Sequence, residues 1–145
     1  MRKQFSKKDI KQFLSLHPQA EGFMDKKSRV IEESDSITVD DMVVYRKEQS
    51  SQEWILSLEC LRKYPDLLPK VVVDKGTPPF IAKGADLMRP GIVSCDSFDK
   101  FEVVVIVDEV HGFPLATGRT MFSSDDLLAK DGGKVVKIIH NLTTD

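Results

Sequence analysis

The first apolar positions of the chain recur at the spacing of a helix. These positions are Ile10, Phe13 and Leu14, which would share one face of a helix. Ser6 and Asp9 resemble a capping box at its start. The His17-Pro18 pair ends the run, because proline disfavours helical backbone in the residue before it. The sequence therefore predicts a short amphipathic helix near the N-terminus.

Further along, the pattern changes to short β-branched or apolar runs that are separated by acidic stretches. Three such runs predict a small antiparallel meander: residues 30–31, 37–39 and 42–45. Ser50 and Glu53 then resemble a second capping box. They precede a helical stripe of four residues: Trp54, Ile55, Leu58 and Leu61. This stripe predicts a helix with Trp54 in the core.

The second half of the chain consists of short apolar runs punctuated by glycine. Seven of the eight glycines lie after residue 70, and glycine supplies the positive φ of tight turns. Six runs predict strands: residues 71–73, 80–81, 92–93, 101–107, 115–121 and 135–139. A helical turn is predicted at residues 85–88, and a short helix at 125–129 that is capped by Ser123 or Ser124. Six short strands predict a small closed or nearly closed β-barrel, which protects strand edges.

Two prolines, Pro65 and Pro69, separate the two patterns. Proline stops the preceding helix, and we place a domain boundary at residue 70. The predicted fold class is α+β. A small N-terminal α+β domain at residues 1–70 is followed by a C-terminal β-barrel domain at residues 71–145.

Charge and hydropathy exclude two classes of protein. The 145 residues carry 21 basic and 23 acidic side chains, which counts against a nonspecific, charge-driven nucleic-acid binder. The net charge is +1 over residues 1–70 and −3 over residues 71–145. The longest apolar run, residues 103–107, is far too short to span a membrane, and the polar N-terminus is unlike a signal peptide. We expect a cytoplasmic protein without a membrane partner.

Residues that carry catalytic chemistry do not form a recognised motif. Cys60 and Cys95 are not part of a C-x-x-C pair, and the three histidines lack metal-ligand spacing: His17, His111 and His140. The glycine-bounded segment 84–91 lacks both nucleotide fingerprints. We therefore expect no cofactor, no metal and no catalytic residue, and we predict that the protein is not an enzyme.

The most distinctive segment lies between residues 73 and 92. It reads V-D-K-G and then F-I-A-K-G-A-D-L-M-R-P-G-I. This segment resembles the motif of the PUA domain, the small RNA-binding barrel of pseudouridine synthases and archaeosine transglycosylases. Residues 103–107, 114–121 and 123–127 resemble the later strands of that family. The resemblance covers the whole second half and implies a PUA-type barrel.

The end of the first half narrows the resemblance to one family of PUA-domain proteins. Residues 58–69 read L-E-C-L-R-K-Y-P-D-L-L-P, which is similar to the domain junction of the malignant T-cell-amplified-sequence family and its archaeal relatives. The resemblance implies binding of structured RNA (rRNA or tRNA) and of the small ribosomal subunit in initiation or recycling, with a translation-factor partner protein. The chain departs from that family in ending N-L-T-T-D, without the terminal tryptophan. It also lacks a proline within residues 94–98.

The motif suggests which residues bind RNA. If Lys83-Gly84 ends a strand and residues 85–88 form a helical turn, the backbone N–H groups of Gly84 and Ala85 are open to a phosphate or ribose. Three side chains supply local positive charge: Lys75, Lys83 and Arg89. Arg89 suits bidentate phosphate binding or base stacking. On a strand that pairs nearby in the family fold, Gly118 and Arg119 extend the groove. The competing interpretation is that the glycines are turn residues and the cations are solvated.

The N-terminal stretch is the most basic part of the chain. It contains Lys3, Lys7, Lys8 and Lys11, which form either a second RNA contact or a solvated helix face. The sequence is best interpreted as a non-catalytic RNA-binding protein. The alternative is a protein-interaction adaptor for a translation factor or an RNA-modification enzyme, and an RNA-modifying enzyme ranks third.

Overall fold

The computed structural model describes residues 1–143 of the chain. The chain folds as two compact units that are divided in the sequence between Leu67 and Leu68, three residues before the boundary predicted at residue 70. The first unit contains helices and an antiparallel sheet, and the second is built mainly from strands. The predicted α+β class is confirmed.

The first unit is a five-stranded antiparallel sheet with two α-helices. Its elements are β1 (Arg2–Gln4), α1 (Lys7–Leu16), a 3₁₀ helix (Pro18–Gly22), β2 (Val30–Glu33), β3 (Ser36–Val39), β4 (Met42–Lys47), β5 (Trp54–Leu56) and α2 (Leu58–Lys63). The strands lie in sequence order, which confirms the predicted meander. The capping box at α1 is also confirmed, because Ser6 Oγ accepts the Asp9 N–H at 3.1 Å and Asp9 Oδ2 accepts the Ser6 N–H at 2.9 Å.

The prediction of one helix from Trp54 onward is wrong. Trp54–Leu56 forms β5 and pairs with β4, where Tyr45 lies opposite Leu56. The helix begins only at Leu58, because Ser57 caps it: Ser57 Oγ accepts the Cys60 N–H at 3.0 Å. Trp54 is half-buried rather than in the core. Pairing with a neighbouring strand outweighs the helical spacing of these apolar residues.

The second unit is a six-stranded sheet with two short helices. Its elements are β6 (Lys70–Val73), α3 (Pro78–Ala82), β7 (Leu87–Met88), a 3₁₀ helix (Arg89–Gly91), β8 (Ile92–Cys95), β9 (Val103–Asp108), β10 (Pro114–Thr120), α4 (Ser124–Leu128) and β11 (Lys134–Asn141). The strand order is β7-β11-β10-β9-β6-β8. The two edge strands, β7 and β8, are separated in the chain by a single 3₁₀ turn. The sheet must therefore curl until its edges approach, which gives a half-barrel.

Two predicted elements of this unit are wrong. Phe80 and Ile81 lie in helix α3 and not in a strand, because Pro78 and Pro79 occupy its first positions, where proline is tolerated. The predicted helical turn at residues 85–88 is instead β7, in which Leu87 pairs with Val136 of β11.

The C-terminal end of β11 is fixed to α3. The buried Asn141 donates from Nδ2 to the Ile81 carbonyl at 3.1 Å, and its Oδ1 accepts the Thr143 N–H at 3.0 Å. The chain ending N-L-T-T-D, which lacks the tryptophan of the related family, continues for two residues beyond the described ones.

Candidate functional site

The distinctive segment of the sequence folds around a pocket. The pocket has a volume of about 260 Å³ and is lined by α3, β7 and the turns beside them: Thr77, Phe80, Ile81, Asp86, Leu87, Met88 and Gly91. Phe80 is 63% exposed and Met88 is 49% exposed, so that an aromatic and a thioether side chain stand at its rim. Neither residue was among the predicted site residues, because Phe80 was expected in a strand and Met88 in a helical turn. The Pro-Pro start and the Lys-Gly end of α3 are the local signals that identify the helix.

The backbone N–H groups of Gly84 and Ala85 are not open to a ligand, contrary to the prediction. The Gly84 N–H donates to the Ile81 carbonyl at 3.0 Å and the Ala85 N–H donates to the Phe80 carbonyl at 3.1 Å. With Gly84 at φ +90°, these two bonds form a Schellman cap on α3. Gly84 is therefore a helix-terminating residue, although the space around its Cα is open.

Two of the predicted cations stand at opposite ends of α3. Lys75 lies in the turn before the helix, and Lys83 is its C-terminal cap residue. Both are exposed, and within residues 1–143 neither forms an ion pair. The turn that carries Lys75 is braced by Asp74, whose Oδ1 accepts from the Gly76 N–H at 3.0 Å and from Thr77 Oγ1 at 2.8 Å. The structure thus presents both ammonium groups to solvent on either side of one short helix.

Arg89 forms hydrogen bonds that connect separate elements of the second unit. Its side chain is half-buried, with Nη1 donating to the Ile92 carbonyl at 3.2 Å and Nη2 to the Leu128 carbonyl at 3.3 Å. Its backbone N–H donates to Gly133 O at 2.9 Å. The guanidinium joins the start of β8 to the end of α4. It is not a free cation, although it keeps further N–H donors.

Arg89→Ala is expected to lower the free energy of unfolding by about 1–2 kcal/mol, because two carbonyls lose a charge-assisted donor. Arg89→Lys is expected to lose less, since one ammonium can still reach one carbonyl. Urea unfolding of the full chain measures both variants. A midpoint for Arg89→Ala that matches the wild type would show that the two hydrogen bonds do not stabilise the fold.

The remaining predicted residues of the second unit lie on β10. Gly118 is buried at a register shift between β10 and β11, so its role is to let the strands approach. Arg119 is half-buried, and its Nη1 donates to the Phe101 carbonyl at 3.2 Å. Neither residue lines the pocket beside α3. Lys75 and Lys83 also lie outside its lining, so none of the predicted cations lines this pocket.

The predicted second contact lies on the first unit. Lys3, Lys7, Lys8 and Lys11 are all exposed, and Lys3 Nζ is 3.6 Å from Asp9 Oδ1. Three of these lysines, together with Lys26, border a groove of about 610 Å³: Lys7, Lys8 and Lys11. Ile10 and Leu14 also line it, and Glu21 is its acidic residue. The groove combines an apolar floor with a basic rim.

Four titratable side chains outside these sites have pKa values shifted by burial or by hydrogen bonds: Cys60, Cys95, His17 and Asp108. Burial raises the pKa of the Cys60 thiol to about 12 and also raises the pKa of Cys95, so both thiols are poor nucleophiles. Burial lowers the pKa of His17, which stacks on Phe13 at 4.3 Å. Hydrogen bonds from the backbone N–H groups of a loop lower the pKa of Asp108, led by that of His111.

The described part of the chain offers no metal site and no membrane span. Among residues 1–143, no group of three histidine, cysteine, aspartate or glutamate side chains is placed to hold a metal ion. No helix in the same residues is long and apolar enough to cross a membrane.

Comparison with known proteins gives consistent matches over nearly the whole chain. A family model described as "PUA domain" matches residues 69–142. Translation machinery-associated protein 20 of Saccharomyces cerevisiae is 30% identical over 92% of this chain and 79% of its own length. Human malignant T-cell-amplified sequence 2 is 27% identical over 92% of this chain and 78% of its own. The crystal structure of a hypothetical protein from Pyrococcus horikoshii covers 97% of this chain and 94% of its own, with a TM-score of 0.81 and 32% identity.

Proposed function

Because the chain belongs to the family of PUA-domain proteins that includes translation machinery-associated protein 20 and the malignant T-cell-amplified sequence proteins, we propose that it is a non-catalytic RNA-binding protein of translation. Its ligand is structured RNA, either tRNA or the rRNA of the small ribosomal subunit. It acts in the cytoplasm during initiation, recycling or another ribosome-linked step, together with a translation-factor partner.

The pocket beside α3 is the observation that carries this proposal. Its exposed rim residues, Phe80 and Met88, offer apolar faces to a base that is unpaired in a loop or at an end of the RNA. Lys75 and Lys83 lie at the two ends of the same helix, where they contact the phosphates on either side of that base. Gly84 and Ala85 contribute open surface rather than N–H donors. Arg89 and Gly118 shape the unit, and Arg119 extends the RNA-contacting surface along β10.

The acidic balance of this unit does not prevent RNA binding at the pocket. Asp86 lines the pocket, but its Oδ2 is 3.1 Å from Lys134 Nζ and its Oδ1 accepts the Ile138 N–H at 2.9 Å. Asp74 is likewise engaged by the turn before α3. These carboxylates are partly neutralised or hydrogen-bonded within the fold. They therefore repel a phosphate less than the exposed lysines attract it.

The lysines of the first unit supply the long-range attraction that the second unit lacks. On this proposal, Lys3, Lys7, Lys8 and Lys11 form a second contact with the same RNA, which raises the overall affinity through linkage of two modest sites.

The test is binding of the purified full chain to labelled tRNA and to labelled small-subunit rRNA. Saturable binding of at least one RNA is expected. The affinity should fall as salt rises, and the RNA should be recovered unchanged. Absence of saturable binding to both RNAs would contradict the proposal, and turnover of either RNA would contradict its non-catalytic part.

The groove of the first unit favours a second candidate, a protein-interaction adaptor. Its apolar floor of Ile10 and Leu14 and its rim of lysines fit an acidic peptide segment with apolar side chains, by charge complementarity. Capture of a translation factor or an RNA-modification enzyme that survives nuclease treatment would support this function. Loss of that capture in a Lys7→Glu/Lys11→Glu variant would assign it to the groove, and unchanged capture would exclude the groove.

A further inference from the structure

Phe101 has a backbone conformation that aromatic residues rarely adopt. Its φ is +68°, in the left-handed region that is disfavoured for bulky L-residues. Its side chain is 60% exposed, so burial in the core does not compensate. Neither backbone preference nor packing accounts for a phenylalanine at this position.

Strand β10 fixes the segment that carries Phe101. The Phe101 N–H donates to the Thr120 carbonyl at 3.0 Å, and the Phe101 carbonyl accepts from Arg119 Nη1 at 3.2 Å. Thr120 Oγ1 donates to the Asp99 carbonyl at 3.1 Å, and the Thr120 N–H donates to the Glu102 carbonyl at 3.0 Å. Glu102 Oε1 accepts the Asp99 N–H at 3.1 Å. These hydrogen bonds therefore hold the backbone of Phe101 in its strained conformation.

One cation lies over the exposed ring, and another contacts the backbone of the same residue. Lys100 Nζ lies 4.8 Å from the ring centroid, and Arg119 contacts the residue's own carbonyl. Asp99 and Glu102 balance these charges within the same loop. A ligand at this position must therefore gain its binding energy from the ring itself rather than from long-range attraction.

We propose that Phe101 is a stacking platform for an unpaired RNA base, with Lys100 beside the phosphate of that nucleotide. This inference rests on the proposed RNA-binding function and adds a contact that is separate from the pocket beside α3. Aromatic rings stack on any base, which makes such contacts tolerant of sequence. A backbone that is fixed before binding loses little conformational freedom when the base arrives, and the hydrogen bonds from β10 fix the backbone of Phe101 in this way.

The experiment uses the full chain and a short single-stranded RNA that contains 2-aminopurine, whose fluorescence responds to stacking. Phe101→Leu keeps an apolar side chain but removes the aromatic face. We expect its affinity to fall about 5- to 100-fold and the 2-aminopurine signal on binding to disappear. Phe101→Trp should retain both. Phe113→Leu, which alters another exposed phenylalanine, is the matched control and should leave both unchanged.

Phe101→Gly separates binding from folding. Glycine adopts a φ of +68° without strain, so the melting temperature should stay the same or rise while the affinity falls as in Phe101→Leu. A residue with a purely structural role would instead lower the melting temperature when it is removed.

The outcomes distinguish this inference from the proposed function. Equal affinity and equal 2-aminopurine signal for wild type and Phe101→Leu would overturn the stacking platform and leave the pocket beside α3 untouched. Loss of a protein partner in Phe101→Leu with normal RNA binding would overturn it in favour of a protein contact. Failure of the wild type to bind tRNA, rRNA and the oligonucleotide alike would overturn the proposed function as well.

Discussion

Replacing both Lys75 and Lys83 by alanine is expected to weaken RNA binding about 30-fold at physiological salt. Each exposed ion pair with a phosphate contributes roughly 1 kcal/mol, and about 2 kcal/mol corresponds to that factor. The slope of log affinity against log salt should fall by about one for each lost phosphate contact. Filter binding of the full 145-residue chain to the RNA that it prefers, repeated at several salt concentrations, measures both quantities. Stability should not change, because both side chains are exposed and form no ion pair within residues 1–143.

A variant with the same net charge provides the control. Lys27→Ala/Lys63→Ala removes two exposed lysines from the first unit, and neither lines the pocket or the groove. It should keep nearly the full affinity. If the two double variants weaken binding equally, overall charge and not the position of the lysines beside α3 determines the affinity, and the proposed site would be wrong.

Gly118→Ala is expected to destabilise the second unit by about 1–3 kcal/mol. A Cβ at this position would lie 2.5 Å from Cγ1 of the buried Val136 and 3.0 Å from the Lys137 carbonyl. The strand pair must open or shift to admit it, and such overpacking of a buried site has this cost. For a chain of this size the melting temperature should fall by several degrees.

Gly132→Ala is the matched control for that substitution. No atom outside its chain neighbours lies within 4 Å of a Cβ at Gly132, and its φ does not require glycine. Its melting temperature should stay close to that of the wild type. A Gly118→Ala variant as stable as Gly132→Ala would show that β10 and β11 separate easily, and the close strand approach would have no importance for the fold.

Local sequence signals were sufficient for the elements that depend on few distant contacts. The capping box at Ser6 and the helical spacing after it define α1, and the β-branched runs define β2, β3 and β4. The region around Trp54 and Ile55 was misassigned because its spacing fits a helix, whereas its pairing with β4 depends on residues about ten positions away. Phenylalanine and isoleucine are residue types that favour strands, as at Phe80 and Ile81. The prolines before these two residues and the glycine cap after them make the segment a helix instead.

The candidate site was only partly predictable for the same reason. The exposure of Lys75 and Lys83 follows from their place beside turns. The partner of Arg89, the Leu128 carbonyl, lies 39 positions away in the chain, and no local pattern reveals it. Likewise, the amide hydrogens of Gly84 and Ala85 are engaged because residues 78–82 are helical, whereas residues 80–81 were predicted to form a strand. No pattern in the sequence identifies Phe101, because the two features that distinguish it, a positive φ and an exposed ring, appear only in the folded structure.

RNA binding at the pocket beside α3 is best tested by NMR titration of the ¹⁵N-labelled full chain with the RNA that it prefers. The amide resonances of Thr77, Phe80, Met88 and Gly91 should shift together and saturate at the affinity measured by filter binding. The resonances in β8, which does not line the pocket, should shift less. Saturable RNA binding with shifts confined to the first unit, or with no shift at the pocket beside α3, would contradict RNA binding at this pocket.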